Sequence, residues 1–144
     1  MAAPTIMWFR RDVRLAAHPA MTDAQDAGPT CALFVVDPRL WAGASPARRR
    51  FLRHSLAELD WALDGRLVIK IGDPVLLIPG MARRIGARSV VCGWDWTPLA
   101  LRRDRAVAAA LERDGAPLRR VGSPYAVEPG RITTGDDRPY RVFT

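Results

Sequence analysis

Arginine, aspartate and tryptophan recur in short blocks directly behind apolar runs. Arg10-Arg11-Asp12-Val13-Arg14 follows Thr5-Ile6-Met7-Trp8-Phe9, Asp37-Pro38-Arg39-Leu40-Trp41 follows a run ending at Val36, and Trp94-Asp95-Trp96-Thr97-Pro98 follows one ending at Gly93. Charges set just beyond a segment too apolar to face water must pair or meet a ligand, because burying them alone is costly. Carboxylates at Asp12, Asp37 and Asp95, guanidinium forks at Arg10, Arg11 and Arg39, and indoles at Trp41, Trp94 and Trp96 suit a planar, partly polar ligand. Aromatic and apolar walls hold such a ring while a few fixed polar groups orient it. A structural alternative stands beside this reading: Asp37-Pro38 ends a strand, Arg11 pairs with Asp12, and the tryptophans pack against a neighbouring domain.

The sequence offers little reaction chemistry. It has no Gly-rich dinucleotide fingerprint after the first apolar run, no phosphate loop ending in Lys-Ser or Lys-Thr, and no nucleophile elbow. No catalytic residue is assigned. His18 and His54 read as structural or solvent-exposed, and Cys31 and Cys92, each inside an apolar run, read as reduced core thiols with no metal-ligand spacing between them.

The elements that position the charged blocks alternate along the chain. Thr5 to Phe9 and Thr30 to Val36 are apolar without polar alternation, as in strands covered on both faces. Pro19 to Ala27 is a helix stopped by Gly28-Pro29. Ser45 caps a second helix with Pro46 at its first position and Leu52, Leu56, Leu59 and Leu63 on one face. Leu67 to Ile71 is a third strand, Val75 to Ile85 a helix ended by Gly86, and Ser89 to Gly93 a fourth strand. A helix from about Ala100 to Asp114 shows Leu101, Ala108 and Leu111 on one face, and Pro117 to Val121 is a fifth strand. This order predicts an α/β fold: a doubly wound, five-stranded parallel sheet, Rossmann-like, with helices on both faces. Ligands in such folds bind outside the carboxyl ends of the strands, where the three charged blocks converge. Residues 1–122 form the α/β domain, and 123–144, rich in Pro, Gly and Thr, form a linker or hairpin.

The net charge of +7 over 144 residues is an arginine effect, since Lys70 is the only lysine. That balance accommodates nucleic acid, anionic cofactors or an acidic protein surface. Arg48, Arg49, Arg50 and Arg53 lie mostly opposite the leucine stripe and read as a solvated helix face. No run approaches the roughly twenty apolar residues that cross a bilayer, and the start lacks a signal-peptide layout, so a soluble cytoplasmic protein without membrane or metal partners is expected.

The ordered motifs resemble the N-terminal domain of the DNA photolyase and cryptochrome family. They are Trp8-Phe9-Arg10-Arg11-Asp12-Val13-Arg14-Leu15, Val36-Asp37-Pro38, Pro46-Ala47-Arg48-Arg49-Arg50-Phe51-Leu52 with Ser55-Leu56 and Leu59-Asp60, Gly72-Asp73-Pro74, Asp95-Trp96-Thr97-Pro98 with Arg103-Asp104, and Pro139-Tyr140-Arg141-Val142-Phe143-Thr144. The resemblance implies a light-harvesting domain that holds an antenna chromophore, a deazaflavin or methenyltetrahydrofolate, and passes its excitation to a catalytic FAD. By motif position the cofactor-binding candidates are Arg10, Arg11, Phe34, Val35, Val36, Asp37 and Asp95, with Asp95 favoured for hydrogen bonding a deazaflavin ring. The implied partner is a helical FAD-binding domain beyond Thr144, through which alone damaged DNA would be met. This chain by itself would not repair DNA. A stand-alone nucleotide-binding or interaction module, or a piece of a cryptochrome photoreceptor, is the alternative. Two departures from the family pattern stand out: Ala17 where an Asp is usual, and Thr97-Pro98-Leu99 where an acidic residue and then Pro-Tyr are more common.

Overall fold

A computed structural model of the chain describes residues 2–138. The expected alternation is present: β1 (Thr5–Phe9), α1 (Pro19–Asp26), β2 (Thr30–Val36), α2 (Pro38–Ala42), α3 (Pro46–Ala62), β3 (Val68–Ile71), α4 (Pro74–Ile85), β4 (Ser89–Cys92), α5 (Pro98–Glu112) and β5 (Leu118–Arg120). Every helix opens in one way: His18, Asp37, Ser45, Asp73 and Thr97 accept a backbone N–H as N-caps, and a proline follows each. A proline costs nothing there, because its missing N–H would have had no partner, and its fixed φ suits the first turn. Each polar cap contributes about 1 kcal/mol.

The strands form one parallel sheet in the order β3-β2-β1-β4-β5. The chain therefore winds outward from β1 in one direction and then, after β3, crosses back to β4, so the reversal of strand order falls between β1 and β4. Alternate residues of each strand enter opposite faces. Ile6, Trp8, Leu33, Val35 and Val90 pack with Ile78 and Ala82 of α4 and Val107 and Leu111 of α5. Met7, Phe9, Ala32, Phe34 and Val91 pack with Ala20, Met21 and Ala24 of α1 and Leu56 and Leu59 of α3. Both faces are covered, which is why the strand sequences carry no polar alternation.

Two expectations need correction. The Asp37-Pro38 segment does more than end a strand: it starts the five-residue helix α2, too short to display a periodicity. On α5 the buried stripe is Ala100, Asp104, Val107 and Leu111, one position away from the predicted Leu101 and Ala108, and it includes a carboxylate. Of the two readings of His18 the structural one applies: it is 3 % accessible, and its Nδ1 accepts the Met21 N–H. Cys31 lies in β2 and Cys92, buried, in β4, both as free thiols. Residues 123–138 contain turns, among them one in which the Thr134 N–H donates to the Arg138 carbonyl and the Asp137 N–H to that of Thr134. The motif from Pro139 to Thr144 lies outside the described residues. Among the described residues no helix is long and apolar enough to cross a membrane.

Candidate functional site

The carboxyl ends of β2, β1 and β4 stand side by side, and a cavity of about 180 Å³ opens over them. Trp8 and Phe9 of β1, Phe34 and Val35 of β2, and Leu40, Leu99 and Ala100 give it apolar walls, while Arg10, Arg11, Asp37, Asp95, Thr97 and Arg103 supply its polar groups. A second cavity, of about 160 Å³, shares Phe34, Val35, Asp37 and Leu40 with the first and adds Val36, Trp41, Arg48, Arg49 and Leu52. The structure thus places Arg10, Arg11, Phe34, Val35, Asp37 and Asp95 around one space and Val36 around its neighbour. Either alone is smaller than the roughly 300 Å³ at the low end of ligand sites; the pair, divided by Leu40 and the β2 end, reaches it.

The two rim carboxylates are differently engaged. Asp37 Oδ1 accepts the Arg39 backbone N–H and Nε–H, both at 2.9 Å, and Oδ2 accepts the other fork at 2.7 Å. The Arg39 hydrogen bonds hold the Asp37 carboxyl below its ordinary pKa. Oδ1 therefore caps α2, and both oxygens are taken up by the Arg39 guanidinium. Asp95 caps more sparingly: Oδ1 accepts the Thr97 N–H at 3.1 Å and lies 3.7 Å from Arg11, and Oδ2 has no partner among the described residues. Asp95 is the rim carboxylate with an acceptor to spare, although its residue is only 6 % accessible.

The arginines are not disposed as expected. Arg11 does not pair with Asp12; it reaches across to Asp95. Asp12 instead lies 3.0 Å from His18 Nε2 and close against Gly93, where a Cβ would meet its Oδ2 at 2.5 Å. Burial works against the Asp12 charge, but the imidazole beside it and the backbone amide outweigh that, and its pKa lies below the ordinary value.

Arg10 turns inward. It donates to both oxygens of Asp104, at 2.6 and 2.7 Å, and to the Gly93 carbonyl. Burial opposes its charge; Cys92 and Asp104 nearby overcome that and raise its pKa. Arg103 donates to Asp104 at 3.1 Å and Arg120 Nε lies 3.6 Å away, so three guanidinium groups gather on one carboxylate that is 1 % accessible. Arg10 and Arg103 also lie over the Trp8 ring, 4.9 and 5.0 Å from its centroid.

The sequence did not mark this cluster as part of a site. Asp104 stands among Arg102, Arg103 and Arg105, which reads as a solvated helix face. Its position three residues before Val107 and seven before Leu111 was the available signal.

The tryptophans read from the sequence as ring-holding surfaces are elsewhere. Trp94 and Trp96 stack on each other with centroids 4.6 Å apart, and Arg120 covers Trp94. Trp41 borders only the smaller of the two spaces. Trp8, Phe9 and Phe34 border the main cavity from inside the strands, but Trp8 and Phe9 are core residues on opposite faces of the sheet, and Arg10 and Arg103 cover the Trp8 ring.

The fold has counterparts among known proteins. The DNA photolyase family model matches residues 5–144, and the chain belongs to that family. It is 33 % identical over 149 residues to a deoxyribodipyrimidine photo-lyase of Agrobacterium fabrum, covering 99 % of this chain and 30 % of that protein. It is likewise 33 % identical over 145 residues to cryptochrome-1 of Arabidopsis thaliana, covering 96 % and 21 % respectively. The crystal structure of a bacterial class III photolyase from Agrobacterium tumefaciens superposes with a TM-score of 0.88 at 32 % identity, over 100 % of this chain and 30 % of that one. The chain spans about three-tenths of the length of the curated photolyases it matches.

Proposed function

We propose that this chain is the light-harvesting α/β domain of a deoxyribodipyrimidine photolyase and that the strand-end cavities hold an antenna chromophore, a deazaflavin or methenyltetrahydrofolate. The observation that carries the reading is the cavity itself. Phe34 and Leu40 help to line it, and the rim offers one under-used carboxylate at Asp95 and the exposed cation of Arg11. That set fits a planar heterocycle with ring N–H groups: Asp95 Oδ2 accepts a ring proton, Phe34 and Leu40 confine the ring, and Leu99 and Ala100 exclude water from it. The chromophore, when bound, absorbs light and passes the excitation on.

Electron donation to a lesion belongs to an FAD carried by a separate helical domain, with residues 123–144 leading toward it. The size of the relatives supports this, since they exceed this chain about threefold. Lesion recognition is likewise assigned to that domain, and a soluble cytoplasmic setting is part of the same reading.

The test mixes the purified chain with 8-hydroxy-5-deazaflavin and, separately, with methenyltetrahydrofolate, and follows bound absorbance and fluorescence. One of them is expected to bind with a red-shifted band. Asp95→Ala should weaken that binding about tenfold, the loss of one charge-assisted hydrogen bond. Leu40→Trp, which fills the partition, should abolish it. Failure of both pigments to bind, or binding indifferent to both substitutions, would sink the antenna reading.

A further inference from the structure

The two strand-end cavities, of about 180 and 160 Å³, have Leu40 as a common wall. Each lies below the roughly 300 Å³ at the low end of ligand sites, so a fused-ring ligand fits neither while Leu40 stands where it does. Leu40 belongs to α2 and is half exposed. None of the five residues of that helix is buried, so polar contacts at its two ends carry much of its attachment to the domain.

The two ends are held unequally. At the N-terminal end Arg39, itself exposed, pairs with Asp37 and lies 3.6 Å from Asp73, and exposed pairs of this kind hold weakly. At the C-terminal end Arg49 of α3 donates to the Trp41 and Ala42 carbonyls at 3.0 and 2.9 Å, and its guanidinium lies 5.6 Å from the Trp41 centroid. A five-residue helix leaves those carbonyls without helical partners, and one rigid fork satisfies both. The chain then leaves α2 through Gly43 before Ser45 caps α3, which gives a short hinge beyond the latch.

We propose that α2 is a lid on the strand-end site: with Arg49 engaged, Leu40 divides the space, and a fused ring enters only when α2 swings outward between Asp37 and Gly43 and joins the two cavities. The proposal rests on the antenna reading and adds to it an entry step and a size filter. Leu40, carried outward, then lies against the ring. Arg49 is a positioning residue that acts through the α2 backbone. Because only the open form accepts the ring, the apparent affinity is that of the open form multiplied by the fraction of the protein that is open.

The sign of one substitution separates a latch from an ordinary cap. If Arg49 only held α2 in the shape the ligand needs, its loss would weaken binding; if it holds the lid shut, its loss strengthens binding. The experiment follows riboflavin fluorescence on rapid mixing with the full chain. In the wild type the observed rate is expected to level off with rising riboflavin, at the rate of lid opening. Arg49→Ala should raise that ceiling and tighten binding about tenfold, the effect of releasing the hydrogen bonds that favour the closed form. Arg49→Lys, which keeps the charge and loses the fork, should fall between the two. Leu40→Ala, at a half-exposed position, tests the partition independently of the latch, and its rate should rise in proportion to riboflavin without a ceiling.

Weaker binding by Arg49→Ala, or the same concentration dependence in Leu40→Ala as in the wild type, overturns the lid and leaves the antenna site standing. If riboflavin, 8-hydroxy-5-deazaflavin and methenyltetrahydrofolate bind to none of the four proteins, the lid and the antenna reading fall together.

Discussion

Arg10 at the end of β1 donates to both carboxylate oxygens of Asp104, 94 residues further along the chain, at 2.6 and 2.7 Å. Through that pair, and through Arg103 and Arg120, Asp104 joins the ends of β1 and β5 to the first turns of α5. Removing one partner of a buried ion pair leaves a charge uncompensated, at a cost of about 3 kcal/mol or more. Asp104→Asn is therefore expected to destabilise the fold by about that amount in urea titration. Glu128→Gln, which breaks the exposed contact with Arg131 at 4.0 Å, should cost at most about 0.5 kcal/mol. Similar losses for the two variants would show that the cluster is not the anchor described.

Gly93 and Gly122 are closed to any side chain for different reasons. At Gly93 a Cβ would press on the Asp12 carboxylate. At Gly122 φ is +70°, and a Cβ would stand 2.8 Å from the Pro19 ring. Gly93→Ala and Gly122→Ala are each expected to lower stability by about 1 to 3 kcal/mol. Gly93→Ala should in addition disturb the His18 imidazole resonances in an NMR spectrum, because Asp12 must move away from the ring.

The acid limb of the stability curve carries a signature of Asp12. Its folded pKa lies below the ordinary 3.8, with the His18 imidazole offsetting the burial that works against its charge. A carboxyl depressed in the fold contributes stability that is fully present above its unfolded pKa and is lost as pH falls through the folded one. Between about pH 5 and pH 2 the wild type should lose more stability than Asp12→Asn. Parallel curves for the two proteins across that window would exclude the contribution.

Burial raises the Cys92 thiol to about 11 and also pushes Cys31 upward. Thiolate is the reactive form, so Cys92 is expected to be inert toward Ellman's reagent at pH 8 in the native protein. Both cysteines of the sequence should react once guanidinium unfolds it. Fast native labelling of a Cys31→Ser variant would show that Cys92 is reached by solvent.

Much of the fold could be read from local signals. Proline after a polar cap marks each helix start, and the apolar runs at Thr5 to Phe9 and Thr30 to Val36 mark strands covered on both sides. The strand-exit rule also brought Arg10, Arg11, Asp37 and Asp95 to one place, since parallel strands deliver their ends to one edge. The pairings within that edge were not legible. Whether Arg11 meets Asp12 or Asp95 depends on the separation of β1 from β4, and Asp104 was hidden because its burial comes from elements distant in the chain. The aromatic walls were misassigned for a related reason. Trp94 and Trp96 satisfy each other by stacking, whereas Phe34 borders the cavity from a strand position that looks like ordinary core.

One carboxylate cannot neutralise the three guanidinium groups gathered on it, so the sheet edge carries a standing surplus of positive charge. Arginine does not deprotonate at any physiological pH, and Arg10 is held even further from doing so. The result is a permanent local electric field beneath the Trp8 wall, fixed in direction by the strands.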